Sequence, residues 1–327
     1  MGFTWLDGER LIRFAPGAGE EAGQLLSSRG FEGYALLATE RFRGHPLAEG
    51  ADVVVAARPG PVPEVSAAAR REVGSRPVVA LGGGRVVDSA KAIGAADGLP
   101  VAAVPTTLSG AELTGFHRLP EGVEGRRLVR PSLVIADPLL MASAPMPLLA
   151  ATALNALAHA VEALYTPLAN PVASMAALRG ANLIASGLKG EGEPQRAERE
   201  ELALGALLAG YASGATGYAV HHVVCQTIVR VGGTPHAGTN ATMLPHTLRL
   251  MRGRAPDEIA RVERELGGSG VAPRLAARAG VSGLRALGFD EARLDDVVEA
   301  VLPRPELANT PDPPGEAELR EFVEGAL

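Results

Sequence analysis

Val78-Val79-Ala80-Leu81-Gly82-Gly83-Gly84-Arg85-Val86-Val87-Asp88-Ser89-Ala90-Lys91 reads as a buried strand that runs into three glycines and then into the start of a helix. Glycine lets a backbone come close to a ligand, and a helix N-terminus offers free N–H groups and a positive dipole end to a phosphate. The stretch is neither G-x-G-x-x-G nor a Walker motif, since no G-K-[ST] follows. On these residues alone, a nucleotide-binding turn and a merely tight strand-to-helix turn are equally good readings. Lys91 and Lys189 are the only lysines. Where arginine is the default cation, a lysine kept beside a glycine turn hints that a compact ammonium is preferred there.

Outward from this turn, short β-branched runs alternate with helix-like stretches. Residues 34–38 (YALLA), 52–56, 77–81, 101–104 and 133–136 read as strands, and 19–28, 62–72 and 86–96 as helices. Continuously apolar strands alternating with helices imply a parallel sheet covered on both faces. Only 52–56 suits a half-buried edge. After Asp137-Pro138 the strand candidates vanish, and helical periods follow at 147–165, 172–188, 196–213, 218–229, 257–266, 272–279, 290–301 and 316–326. The expected fold is therefore α/β plus all-α, with a dinucleotide-binding domain at 1–138 and a helical catalytic domain at 139–327. Residues 189–194 read as an exposed loop and 303–315 as an extended crossing segment.

Three further constellations stand out. Pro105-Thr106-Thr107-Leu108-Ser109-Gly110 follows the next strand at the same carboxyl edge of the sheet, where open α/β sheets bind ligands. Glu40 lies at that edge after the first predicted strand. Its carboxylate suits a ribose diol, while the neighbouring Arg41 and Arg43 suit a 2′-phosphate. Asn155, His159 and Glu162 share one face of an otherwise apolar helix, at i, i+4 and i+7. Five of the seven histidines fall between 159 and 246, with His221-His222, His236 and His246 joining His159. Gathered imidazoles suit a transition metal or acid–base chemistry, although the spacing matches no zinc finger or H-E-x-x-H site.

Composition narrows the partners. The 327 residues carry 31 basic and 37 acidic side chains, net −6, with only 4% aromatic. Neither a basic footprint nor stacking platforms point to nucleic acid. The single Cys225 cannot form an intrachain disulfide, which fits a reducing compartment. No apolar run reaches the ~18 residues of a membrane span, and MGFTWLDGERLIRF lacks a signal-peptide pattern. A cytoplasmic protein with no membrane partner is expected.

The order GGGRVVDSAK, PTTLSGAELT, NALAHAVEALY, then HHVVCQ…PHAGTNA…LPH resembles the iron-containing alcohol dehydrogenase superfamily, and within it the maleylacetate reductases. The ADP at Asp137 and the tail LANTPDPPGEAELREFVEGAL extend the likeness nearly end to end. The resemblance implies a dehydroquinate synthase-like fold, a homodimer, and catalysis on a small-molecule substrate in a cleft between the domains. It implies that Gly82, Gly83 and Gly84 cradle a pyrophosphate, with Asp88, Thr106 and Thr107 near the nicotinamide. With Glu40 at the ribose, NAD(H) is expected over NADP(H). Metal-dependent relatives use one Asp and three His, and the matching positions here are Asn155, His159, His222 and His236.

Asn155 in place of Asp leaves that ligand set formally neutral, so Zn or Fe is not expected to bind tightly. Gln226 stands where the family usually has a histidine, and Ile228-Val229-Arg230 where it has LGG. Ala111 replaces a serine, and His117 lies where an aromatic is common. The reaction the resemblance implies is NAD(P)H-dependent reduction of maleylacetate or a similar unsaturated or keto carboxylate. His159, His222 and His236 would polarise the substrate, and Arg230 or Arg118 would pair with its carboxylate. The alternatives are a metal-dependent dehydrogenase of small alcohols or aldehydes, a lyase or cyclase like the dehydroquinate synthases, and a non-catalytic nucleotide-binding relative.

Overall fold

The computed structural model describes residues 1–125 and 127–327, in two compact units, Met1–Ser143 and Ala144–Leu327. The first is built on seven strands: β1 (Phe3–Asp7), β2 (Arg10–Phe14), β3 (Ala35–Ala38), β4 (Val53–Ala56), β5 (Val78–Gly82), β6 (Val101–Pro105) and β7 (Leu133–Ala136). They lie in the order β1-β2-β7-β6-β5-β3-β4, and every neighbouring pair is parallel except β1 with β2. The helices of this unit are α1 (Ala22–Ser28), α2 (Val62–Val73), α3 (Gly84–Asp97) and the short α4 (Pro138–Met141).

The unbroken apolar character of the strands has a direct cause. Leu36, Val79, Leu81 and Val104 point to one face and pack with Ala22 and Leu26 of α1. Their chain neighbours Leu37, Val78, Ala80 and Ala103 point to the other and pack with Val73 of α2 and Val87 and Ile93 of α3. With a core on each side, neither parity of residue can be polar. β4 sits at the edge and is only partly buried, as its sequence indicates. The chain leaves β3 for β4 on one side and returns through β5 on the other, so the strand order reverses at the carboxyl ends of β3 and β5.

The β1–β2 hairpin is absent from the sequence reading. Its loop is only Gly8-Glu9, between the paired Asp7 and Arg10, and Gly8 has φ +62°, the conformation that tight hairpin turns require. Arg10 is 1% exposed, ion-paired to Asp7, and donates to the Leu113 carbonyl at 3.3 Å.

The second unit is helical: α5 (Met146–Glu162), α6 (Pro171–Gly187), α7 (Arg196–Thr216), α8 (Val220–Gly232), α9 (His236–Met251), α10 (Pro256–Leu266), α11 (Val271–Arg278), α12 (Leu294–Val301) and α13 (Glu316–Glu324). α5 is buried almost all round and is packed by α6, α7 and α9. α6 and α7 meet through bare backbone: a Cβ on Gly180 would stand 2.9 Å from the Gly205 carbonyl oxygen, and one on Gly205 2.9 Å from that of Gly180.

α9 is the helix the sequence reading lacks. Pro245 interrupts its pattern, and Thr239, Asn240, Thr242 and Thr247 give it a polar, loop-like texture. Inside the unit Thr239, Asn240 and Thr247 are satisfied by carbonyls one turn back, while Thr242 Oγ1 is buried with no partner among the described residues. Thr239 Oγ1 donates to the Pro235 carbonyl at 2.9 Å and Thr247 Oγ1 to that of Met243 at 3.1 Å. Of two connections, 189–194 is an exposed loop as expected, and 303–315 is not extended throughout. The exposed 189–194 loop is fastened by Arg278, which donates to the carbonyls of Leu188 and Gly192 at 2.6 Å each. The crossing segment 303–315 contains a 3-10 turn at Pro305–Asn309. No helix among the described residues is long and apolar enough to cross a membrane.

Candidate functional site

In the first unit, the glycine turn and the threonine turn form one surface. Gly83 starts α3 with φ −76° and ψ −177°, ordinary extended backbone, and no side chain caps the helix. The amides of Gly84 and Arg85 at its start receive no side-chain cap and suit an anion, while the Val86 N–H is bonded to the Gly83 carbonyl at 2.9 Å. A Cβ on Gly83 would lie 3.0 Å from Thr107 Cγ2, and one on Gly84 3.0 Å from Ser109 Oγ. Thr106 donates its N–H to the Gly82 carbonyl at 3.0 Å. The glycines are thus required by the close approach of the second loop, and the dihedral of Gly83 itself imposes nothing.

That second loop is held from behind by the retained lysine. Lys91 is fully buried, and its ammonium donates to the carbonyls of Ala111 at 2.8 Å, Thr114 at 3.1 Å and Phe116 at 2.8 Å, with Asp88 Oδ1 at 2.7 Å. Three divergent carbonyls suit a compact ammonium better than a planar guanidinium fork. Asp88 is accordingly engaged by Lys91. Beside it Glu112 is completely buried, neither carboxyl oxygen has a hydrogen-bond partner among the described residues, and burial pushes its pKa up to about 7.

A cavity of about 290 Å³ opens at the carboxyl ends of β3 and β4 and the start of α3, lined by Glu40, Arg41, Arg58 and Arg85 among others. Glu40 pairs with Arg43 at 3.4 Å, both side chains being exposed. The cavity lies where the strand order reverses, so uncapped amides, glycine turn and cavity together fit an extended dinucleotide. Gly83→Val is expected to weaken NADH binding at least tenfold, about 1.4 kcal/mol, because the added branches drive Thr107 away. Titration of folded variant against wild type checks it, and unchanged affinity would remove the turn from the site.

In the second unit, the helical face of Asn155, His159 and Glu162 meets α8. The rings of His159 and His222 stack, with centroids 3.9 Å apart and planes 8° from parallel. Glu162 accepts the backbone N–H of His221 at 2.8 Å through Oε1, while Oε2 lies 2.5 Å from His222 Nδ1. Burial raises Glu162 to about 7 and lowers His222 to about 3. With Glu162 ionised, His222 Nδ1 donates to Oε2, and Nε2, buried and with no hydrogen-bond partner among the described residues, carries the lone pair. His159 is held well below the usual imidazole range, first by burial and then by His222.

The other histidines divide. His221 is structural, satisfied by Thr247 Oγ1 at 2.7 Å and Asn240 Oδ1 at 3.1 Å. His236 begins α9, exposed, with Nε2 3.4 Å from Asn240 Nδ2. His246 is half-buried further along α9, away from the stack. Gln226, one turn beyond His222, accepts from Arg304 at 3.1 Å. Arg230 continues that stripe but is exposed, and Arg118 is exposed in the first unit.

The set Asn155, His159, His222 and His236 does not fit a resident divalent ion as arranged. Rings stacked face to face do not converge their lone pairs on one point, and among the described residues no three His, Cys, Asp or Glu side chains form a metal-binding group. Sequence reasoning placed Glu162 on the right face but gave it no task. It missed Arg304, whose partner lies 78 residues away, and gave Asn240, within PHAGTNA, no role.

Residues 13–145 match the family model described as iron-containing alcohol dehydrogenase, and residues 149–295 that of the Fe-containing alcohol dehydrogenase family, C-terminal. Maleylacetate reductase 1 of Rhodococcus opacus is 38% identical over 240 residues, covering 70% of this chain and 67% of that protein. The maleylacetate reductase of Rhizobium sp. strain MTP-10005 is 35% identical over 246 residues, 72% and 70% of the two chains. The crystal structure of maleylacetate reductase from Agrobacterium tumefaciens superposes with a TM-score of 0.85 at 30% identity, over 99% of this chain and 97% of that one.

Proposed function

This chain belongs to the iron-containing alcohol dehydrogenase family, and we propose that it reduces maleylacetate, or a closely similar unsaturated keto dicarboxylate, at the expense of a reduced nicotinamide dinucleotide. The observation that carries this reading is the likeness to maleylacetate reductases, which runs through both the α/β and the helical unit. The bound dinucleotide supplies the hydride. Gly82, Gly83 and Gly84 present the amides of α3 to its pyrophosphate, and Thr106 and Thr107 bond its nicotinamide half. Asp88 holds Lys91, and through it the loop that carries those threonines.

Ionised Glu162 accepts from His222 Nδ1, 2.5 Å away, and in this reading Nε2 accepts a hydrogen bond from substrate. His159, stacked on it, keeps water from that nitrogen, and His236 polarises the substrate oxygen from the start of α9. NAD(H) is the preferred cofactor in this reading, through Glu40 at the adenosine ribose, and the enzyme is taken as a cytoplasmic homodimer. No step is assigned to a metal, since the donor set does not converge.

Oxidation of NADH and NADPH with maleylacetate, run beside simple aldehydes and before and after EDTA, tests the proposal. Turnover confined to the dicarboxylate, faster with NADH and unchanged by EDTA, is expected. Aldehyde turnover abolished by chelation would replace it with a metal-dependent alcohol dehydrogenase. Higher efficiency with NADPH would show that Arg41, Arg58 and Arg85 govern the cavity instead of Glu40.

A further inference from the structure

A dicarboxylate substrate needs a cation, and one guanidinium is linked by hydrogen bonds to the helix that carries His222. The guanidinium that is linked belongs to Arg304. Its Nη2 donates to the Gln226 side-chain oxygen at 3.1 Å and to the Tyr218 hydroxyl at 3.2 Å, and its Nε to Glu306 at 3.2 Å. Gln226 is one helical turn from His222 on α8. The Tyr218 ring stands edge-on to the His222 ring, with centroids 6.1 Å apart. Arg304 therefore lies beside the part of α8 that carries His222, joined to it through Gln226 and Tyr218. Its side chain is only 20% exposed, so it is held in place rather than waving in solvent.

Guanidinium has five N–H donors. Three are engaged, one on Nε and two on Nη2, and the remaining pair on Nη1 makes no hydrogen bond to any described residue. Glu306 balances much of the charge, and it does so at Nε, not at Nη1. Tyr218 is raised to about 12, chiefly by burial, so its hydroxyl stays protonated and passes its own hydrogen to Glu306 at 3.2 Å. This arrangement also gives the departure at Gln226 a purpose. An amide oxygen accepts from Arg304 without ever carrying a positive charge, whereas a histidine at this place could repel the guanidinium when protonated.

We propose that Arg304, positioned by Gln226, Tyr218 and Glu306, is the residue that binds a substrate carboxylate through its Nη1 edge and thereby selects carboxylate-bearing substrates. The inference rests on the reduction proposed above, and it deepens that reading by naming the anion subsite. Arg304→Gln removes the charge and keeps a similar length. It is expected to raise the KM for maleylacetate at least tenfold and to leave the NADH dissociation constant within twofold. Arg304→Lys, a milder change, is expected to fall between the two and covers the case in which the glutamine variant fails to fold. Calorimetric titration of succinate, a dicarboxylate that cannot be reduced, separates this inference from the parent reading. If wild type ignores maleylacetate but binds succinate, and either variant weakens that binding, the parent reading fails and the subsite stands. Succinate or maleylacetate affinity equal in wild type and both variants, or a wild type that binds no dicarboxylate at all, would overturn it.

Discussion

Glu162→Gln is expected to lower kcat for maleylacetate about a hundredfold, at the low end of what positioned acid–base groups contribute, with little change in NADH affinity. The carboxylate accepts from three directions, two backbone amides through Oε1 and His222 Nδ1 through Oε2. A glutamine has only one oxygen. If it keeps the His221 and His222 amides, its NH₂ faces Nδ1, which must then accept, and the imidazole proton moves to Nε2. The lone pair offered to substrate becomes a donor. Stopped-flow turnover with binding measured in parallel reads the two effects apart, and a kcat within threefold of wild type would show that the tautomer of His222 is irrelevant.

Glu112→Gln is expected to change how stability responds to pH. In the unfolded chain this carboxyl ionises near its ordinary value of 4.5, while in the fold burial holds it protonated up to about 7. Between those limits the unfolded state binds fewer protons, so stability falls as pH rises and the loss is complete above the folded pKa. The difference corresponds to about 3 kcal/mol, the opposing effect of the nearby Lys91 ammonium being already contained in it. Denaturant titrations at pH 5 and pH 8 should show wild type losing stability relative to the variant by an amount of that order. Parallel pH curves would mean that the group is solvated or paired in solution.

The strands were legible because two cores demand an apolar residue at every position, a pattern that survives in one sequence. The hairpin at Phe3–Phe14 was not, since β1 alternates between half-buried and exposed and borrows its order from pairing with β2. α9 was hidden for the opposite reason. Its Pro245 and four polar residues argue locally against a helix, and only back-bonding threonines and burial between neighbours make it one. At the site, helical periodicity was enough to align Asn155, His159 and Glu162, because their relation is local. The stack of His159 on His222, and the tie from Gln226 to Arg304, join residues 63 and 78 apart. No spacing rule reaches that far without the fold.

The bare-backbone crossing of α6 and α7 bears on how the helical unit assembles. Gly180 and Gly205 lie 25 residues apart, and the turn between the helices spans only 188–195. Bringing the two segments together closes a short loop, and the chain entropy lost grows only slowly with its length. No long side chain has to be immobilised where the backbones touch, so the association also spares rotamer entropy. Contacts this local favour rapid formation. The α6–α7 pair is thus the part of the unit whose docking is least opposed, a ready wall on which α5, carrying Asn155, His159 and Glu162, can settle.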